Sequence, residues 1–348
     1  MENQLVGEIE GFYGEPWSMD ARRKHAEFLK NKGFNLYINS PKDSPFLRER
    51  WVEDFPDDVF DELQDLGNVF HLEDINYGVG LSPLNIYNNW NNNTLTSLSS
   101  KLRAIEDIGV EVISFQFDDM NGNVSDLAKR QSEIVSYVTE RTNAKILFCP
   151  TYYSYDFALY KEFGGGFIPD GYFEDIGRLI PNGVEIIWTG PKIVSPKITI
   201  DHLVEVEETF RRKPFLWDNY PVNDADMTPY LHLRAIEGRP SNLLEHVSGY
   251  MANPMPQAYL SLIPLSTISD LLKNGKSYSP DESFWNAANE ITSQPELMRF
   301  LVPILQDRGL RNLTSAQKEE LIRKVLPYKK ESWGKELIDT INGRYDIA

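Results

Sequence analysis

Cysteine is almost missing from this chain. Cys149 stands alone among 348 residues, so no internal disulfide can form, and without a Cys/His cluster no structural zinc or other metal site is expected. Histidine is scarce too: His25, His71, His202, His232 and His246 fall in unrelated segments, and none sits in a motif that would make it a catalytic base. Positive charge is in deficit, with 35 Lys and Arg against 52 Asp and Glu and a formal charge of −17. That balance argues against a nucleic acid as partner, because phosphate neutralisation needs clustered basic side chains. No apolar run has the length of a membrane span. The opening stretch MENQLVGEIEG lacks a basic segment followed by an apolar one, so no secretion leader is read there. The sequence as given therefore reads as cytoplasmic, with a secreted form lacking its leader left open.

What is present is an ordinary globular composition, 41% hydrophobic, 12% aromatic and 25% charged, on a chain long enough for a large barrel and a small appendage. Eight short apolar, β-branched or aromatic runs recur: LVGEIEGFYG, GFNLYINSP, DINYGVGLSP, VEVISFQFDD, AKILFCPTYY, VEIIWTGP, PFLWDNYPV and HVSGYMANP. Stretches with helical spacing lie between them, including 19–32, 95–108 and 124–141. Eight βα repeats predict an α/β fold, a (β/α)8 barrel. A doubly wound open sheet shares the same alternation. The polar, Gly or Pro ends of nearly every run favour the barrel, which gathers its site from many strand ends, whereas an open sheet concentrates it at one switch point. A helix over 257–273 ends the barrel region, expected to span 1–275. After the turn-rich NGKSYSPDES, three or four helices and no strand are expected over 276–348.

The pair Asp118–Asp119 in SFQFDDM is the sharpest chemical signal. In a regular strand Ile113, Phe115 and Phe117 share one face while Ser114, Gln116 and Asp118 share the other. Asp119 would then point into the apolar packing at a cost of several kcal/mol, about what an unpaired buried carboxylate loses. It is expected instead to lie past the last ladder bond, turned toward the mouth of the barrel. Two carboxylates held close resist simultaneous ionisation, which supplies an acid beside a base. An aspartate helix cap and a divalent-metal site remain alternatives at this stage. The metal reading is weakened by the other strand ends, which offer only Lys42 and Asp224. The rims are otherwise dominated by Phe12, Tyr13, Tyr153, Trp188, Trp217, Asn219 and Asn253, aromatic walls and amides of the kind a neutral sugar needs. Cys149, with no motif-borne histidine near it, reads as core packing.

In order along the chain, EGFYGEPW, SPKDSP, FDDM, CPTYY, WTGP, LWDNYPVND and ANPM resemble the barrel of glycoside hydrolase family 84, the retaining β-N-acetylglucosaminidases, a family that includes protein O-GlcNAcases and proteins once labelled hyaluronidases. The likeness spans roughly residues 5–270. It implies a cofactor-free enzyme in which the 2-acetamido carbonyl of the sugar attacks its own anomeric carbon, an exception to the two-carboxylate scheme. On that resemblance Asp118 orients the acetamido N–H, Asp119 is the acid and base, and Tyr153 bonds the acetamido group. Trp217 walls the acetyl methyl with Asn219 beside it, while Asp224, Lys42, Asn253 and the Gly11 carbonyl hold hydroxyls. The implied partner is a β-GlcNAc-bearing glycan or glycoprotein, with no nucleic acid, no membrane and no oligomeric state specified. A catalytically silent sugar-binding barrel and an endo-acting hyaluronidase-like enzyme are the rival readings. The chain has PTYY where PTEY is usual, and SPKDSP where a second acidic residue often follows KD.

Overall fold

The computed structural model describes residues 4–346. Residues 1–3, where the leader reading begins, and 347–348, at the end of the expected helical region, lie outside the described residues. Eight parallel strands close into a barrel in sequence order: β1 (Val6–Glu10), β2 (Leu36–Asn39), β3 (Asn76–Leu81), β4 (Val112–Gln116), β5 (Lys145–Cys149), β6 (Glu185–Trp188), β7 (Phe215–Asp218) and β8 (Gly249–Ala252). β8 pairs back onto β1, Val6 opposite Tyr250. Each strand lies within one of the eight apolar runs, and the open sheet is excluded.

Around the barrel run α1 (Met19–Lys32), α2 (Asp57–His71), α3 (Asn92–Ile108), α4 (Leu127–Thr139), α5 (Phe157–Phe163), α6 (Tyr172–Leu179), α7 (Ile200–Phe210) and α8 (Ala258–Asn274). Local chemistry sets their ends. The Ser18 hydroxyl accepts the Ala21 N–H at 3.2 Å, and Gly33, at φ 72°, stops α1 in the left-handed region that glycine adopts without penalty. From one face α1 buries Ala21, His25, Phe28 and Leu29.

Strand parity sorts the side chains. Phe115 and Phe117 face the helices, 5.4 Å apart, and Phe117 meets Tyr87 and Phe148. Truncating such a ring to Ala costs about 3–5 kcal/mol. Ser114 and Gln116 face the interior, where Gln116 bonds both Ser114 and Ser40 at 3.0 Å.

Between β7 and β8 the chain forms only short 3-10 turns, at Ala225–Met227 and Leu243–Glu245, where the repeat pattern calls for a helix. The C-terminal helices fill that side: α9 (Pro280–Ile291), α10 (Pro295–Val302), α11 (Ser315–Val325) and α12 (Ser332–Ile341). Their buried residues, among them Phe284, Met298, Leu301 and Leu337, form a second core with Leu231, Leu233, Met255 and Leu260 from the barrel side. The carboxylate of Glu336 on α12 accepts the N–H groups of Tyr259 and Leu260 in the first turn of α8, at 3.2 and 2.7 Å. It thus caps a barrel helix from outside the barrel. Burial pushes the Glu336 carboxyl up to about 8, against the pull of those two N–H groups and of His25. No helix among the described residues is long and apolar enough to cross a membrane.

Candidate active site

β4 ends at Gln116, and the chain then leaves the ladder. Asp118 keeps the inward parity of Ser114 and Gln116. Asp119 adopts φ 57°, a left-handed conformation that aspartate tolerates better than most residues, and this reversal turns its carboxylate back to the pocket. Parity would otherwise have pointed it into the packing around Phe117.

A cavity of about 470 Å³ opens at the C-terminal ends of the strands, a size suited to a small ligand. Its wall includes all nine site residues proposed from sequence: Gly11, Lys42, Asp118, Asp119, Tyr153, Trp217, Asn219, Asp224 and Asn253. They arrive from the ends of β1, β2, β4, β5, β7 and β8. Gly11 is required where it stands: a Cβ there would lie 2.7 Å from the Trp217 ring.

Asp118 is buried, and its Oδ2 accepts from the Lys42 ammonium, itself nearly enclosed. The Lys42 Nζ also lies 5.4 Å from the centre of the Trp217 ring. The other oxygen of Asp118, Oδ1, has no hydrogen-bond partner, and neither do Trp217 Nε1 and Asn253 Oδ1. An unpaired buried polar group costs about 1–3 kcal/mol. Two acceptors and a donor left unpaired among the residues lining one cavity match a ligand with an N–H, hydroxyls and apolar faces.

Asp119 is held differently. Its Oδ2 accepts from the Tyr13 hydroxyl at 2.6 Å and its Oδ1 from the Tyr153 hydroxyl at 3.1 Å. Burial, reinforced by Asp119, raises both phenols well above their ordinary range, so both stay protonated and donate. Tyr153, expected at the acetamido group, here spends its proton on Asp119. The backbone N–H of Tyr13 donates to Asp224 Oδ2 at 2.8 Å, tying the loop after β1 to the loop after β7. Burial raises the Asp224 carboxyl, opposed by that N–H and by Lys42. Asn219 donates to the Ile193 carbonyl at 2.8 Å and accepts from Asn253 at 3.0 Å, which fixes both amides.

Two rim residues of the sequence reading do not reach the pocket. Phe12 is in the core against Trp17, 5.7 Å away, and Trp188 faces outward, donating to His202 at 2.9 Å. Strand parity is the reason: Phe12 follows the inward Gly11, and Trp188 precedes the inward Thr189. Sequence reasoning gave Tyr13 no role beyond the rim and missed Arg48, Glu162, Phe163, Thr189, Ile193, Val222 and Met227 in the wall. For Tyr13 a signal existed, since it stands two residues after Gly11 and therefore shares its parity. Cys149 lines the pocket as a buried thiol, raised by burial and by Asp118 and so kept neutral. No histidine lines it. Among the described residues no group of three or more His, Cys, Asp or Glu could hold a metal ion.

A closed parallel barrel with an adjacent pair of carboxylates, Asp118 and Asp119, in a pocket at its C-terminal face defines a barrel hydrolase of the glycosidase type. A family model described as beta-N-acetylglucosaminidase matches residues 6–302, and the chain belongs to that family. It is similar to the proteins named Protein O-GlcNAcase of Rattus norvegicus and of Mus musculus, each 29% identical over 282 residues, or 78% of this chain. The chain spans about 30% of the length of those relatives. A solved mutant of the Thermobaculum terrenum O-GlcNAc hydrolase has the same fold, with a TM-score of 0.78 and 28% identity, covering 98% of this chain and 75% of that one.

Proposed function

We propose that the chain is a retaining exo-β-N-acetylglucosaminidase that removes terminal β-linked GlcNAc, including GlcNAc on Ser or Thr of proteins, with assistance from the acetamido group of the substrate. The observation that carries this reading is the state of Asp118. One of its oxygens is held by Lys42 and the other is an unpartnered acceptor in the pocket wall. An acetamido N–H donating to that oxygen polarises the amide and makes its carbonyl oxygen a better nucleophile. As the carbonyl oxygen bonds to the anomeric carbon, the glycosidic oxygen departs and takes a proton from Asp119. The N–H proton passes to Asp118 as the oxazoline forms; water then opens the oxazoline, giving one proton to Asp119 and its oxygen to the anomeric carbon, while Asp118 returns its proton to the nitrogen. Configuration is retained through two inversions. The tyrosine hydroxyls on Asp119 hold it in place for both proton transfers, and Tyr153 can turn its hydroxyl to the acetamido group once the sugar is bound.

Trp217 offers an apolar wall for the acetyl methyl, and Gly11, Lys42, Asn219, Asp224 and Asn253 surround the remainder of the ring. No added cofactor enters these steps. The substrate is a β-GlcNAc glycan or glycoprotein, and the similarity to protein O-GlcNAcases favours the glycoprotein. We also propose a catalytic barrel over 1–275 with the following helices as its support, and a cytoplasmic setting, with which the single reduced Cys149 is in keeping. The test is an assay of an aryl β-N-acetylglucosaminide beside an O-GlcNAc-modified protein and a chito-oligosaccharide. Turnover of the first two is expected. Binding of GlcNAc with turnover of none would make the barrel a silent binder, and mid-chain cleavage of a polymer would make it endo-acting.

A further inference from the structure

Two charged side chains at the pocket mouth have no part in the chemistry above. Arg48 stands in the loop after β2 and Glu162 near the end of α5, after β5, and both line the pocket. The other cation of the pocket, Lys42, is paired with Asp118. Arg48 donates to the Ser82 hydroxyl at 2.9 Å and, among the described residues, meets no carboxylate; Glu162 is exposed and meets no cation. In a chain of net charge −17, an unpaired guanidinium beside the reacting groups is conspicuous. In barrel order β2 and β5 flank β3 and β4, so the two charges bracket Asp119, which follows β4.

The Glu162 side of the mouth is also apolar. Phe163 lines the pocket, and its carbonyl accepts the Gly122 N–H at 2.6 Å, which fastens α5 to the loop that follows Asp119. Phe157 at the start of α5 and Phe167 just beyond it are 64% and 80% exposed. The group attached to the departing oxygen must lie on the Asp119 side, and it therefore crosses between Arg48 and Glu162. A neutral sugar has no charge for either residue. An extended polypeptide does, since it places successive side chains about 3.5 Å apart on both sides of the glycosylated residue.

We propose that Arg48 and Glu162 read the sign of charge on the polypeptide flanking the glycosylated Ser or Thr, selecting an acidic side chain toward the loop after β2 and a basic or apolar one toward α5. This inference rests on the reading of the pocket as a β-GlcNAc hydrolase with a protein aglycone.

The experiment uses two GlcNAc-Ser peptides of one composition, Asp before and Lys after the sugar in one, the order reversed in the other. Each kcat/KM is divided by that of an aryl β-N-acetylglucosaminide with the same enzyme, which removes effects on folding and on the sugar site. One order should exceed the other by about three- to fivefold, the scale of an exposed ion pair, and the ratio should shrink in high salt. In the double variant Arg48→Glu, Glu162→Arg the preferred order should reverse. Equal ratios in the natural enzyme, or a preference that survives the charge swap, would overturn the inference while leaving the hydrolase reading intact. A GlcNAc-uronate disaccharide more dependent on Arg48 than either peptide would overturn the polypeptide assignment. An inactive enzyme toward the aryl glycoside defeats the underlying reading and this inference with it.

Discussion

Four acidic side chains at strand ends of this barrel differ in how completely they are satisfied. Glu10, facing out from β1, accepts from Arg22 twice at 2.9 Å, from the Trp17 N–H at 3.1 Å and from the Tyr37 hydroxyl. Asp218, facing out from β7, accepts from Arg239 twice at 2.7 Å and from Tyr250 at 3.0 Å. Asp119 accepts from two tyrosines, and Asp118 from Lys42 alone. A carboxylate has about four acceptor positions, so the series runs from filled to nearly open. The filled carboxylates knit helices and loops to the barrel wall. The open ones face the cavity, where the missing partners are a ligand's to supply. Among these four strand-end carboxylates, saturation separates those that brace the wall from those that face the cavity better than burial does, since Glu10 and Asp118 are both out of water.

The largest expected effect breaks the open end of the series. Asp119→Asn should lower kcat/KM about 10³-fold on a substrate with a poor leaving group, and far less on an activated aryl glycoside that needs no proton. Stability should hardly move, as judged by a denaturant midpoint. Glu10→Gln is the converse. It leaves the buried Arg22 only the exposed Glu62 carboxylate at 3.3 Å as counter-charge and should cost about 3 kcal/mol of stability by denaturant titration, with activity per folded molecule largely kept.

Glu336 is an intermediate case, buried with only two N–H donors. Its folded carboxyl keeps a proton up to about 8, well above its ordinary value of 4.5. The folded state therefore holds the extra proton between those values, and stability should fall as pH rises through that window, by about 1.4 kcal/mol per pH unit at most. Glu336→Gln should flatten the dependence, read from thermal or urea unfolding across pH. The smallest effect sharpens the contrast within the site: Tyr13→Phe removes one of the two hydroxyls on Asp119 and should cost about tenfold in kcat. A larger loss than Asp119→Asn would mean that the phenol acts directly on substrate.

Much of this was legible in the residues. Short apolar, β-branched or aromatic runs located all eight strands, and helical spacing located α1, because both signals are local. Strand parity also foretold the turn at Asp119, since the alternative buried a bare carboxylate. The resemblance brought nine residues together that lie far apart in sequence and share one cavity. Less was visible where partners are set by long-range packing. Phe12 and Trp188 have the composition of rim residues but the parity of core ones. The absence of a helix between β7 and β8 reflects the C-terminal helices, whose covering of Leu231 and Leu233 no local pattern records. Arg48, Glu162 and Phe163 sit in loops whose course is fixed by contacts such as Gly122 to Phe163.

The central claim is that Asp118 aims the substrate's own amide at the anomeric carbon. The direct measurement is kcat/KM for aryl glycosides whose N-acetyl group carries zero, one, two or three fluorines. Each fluorine makes the carbonyl oxygen a poorer nucleophile while changing its size little. A steep, monotonic fall in rate across the series is predicted; a flat series would contradict it and assign the attack to a group on the enzyme.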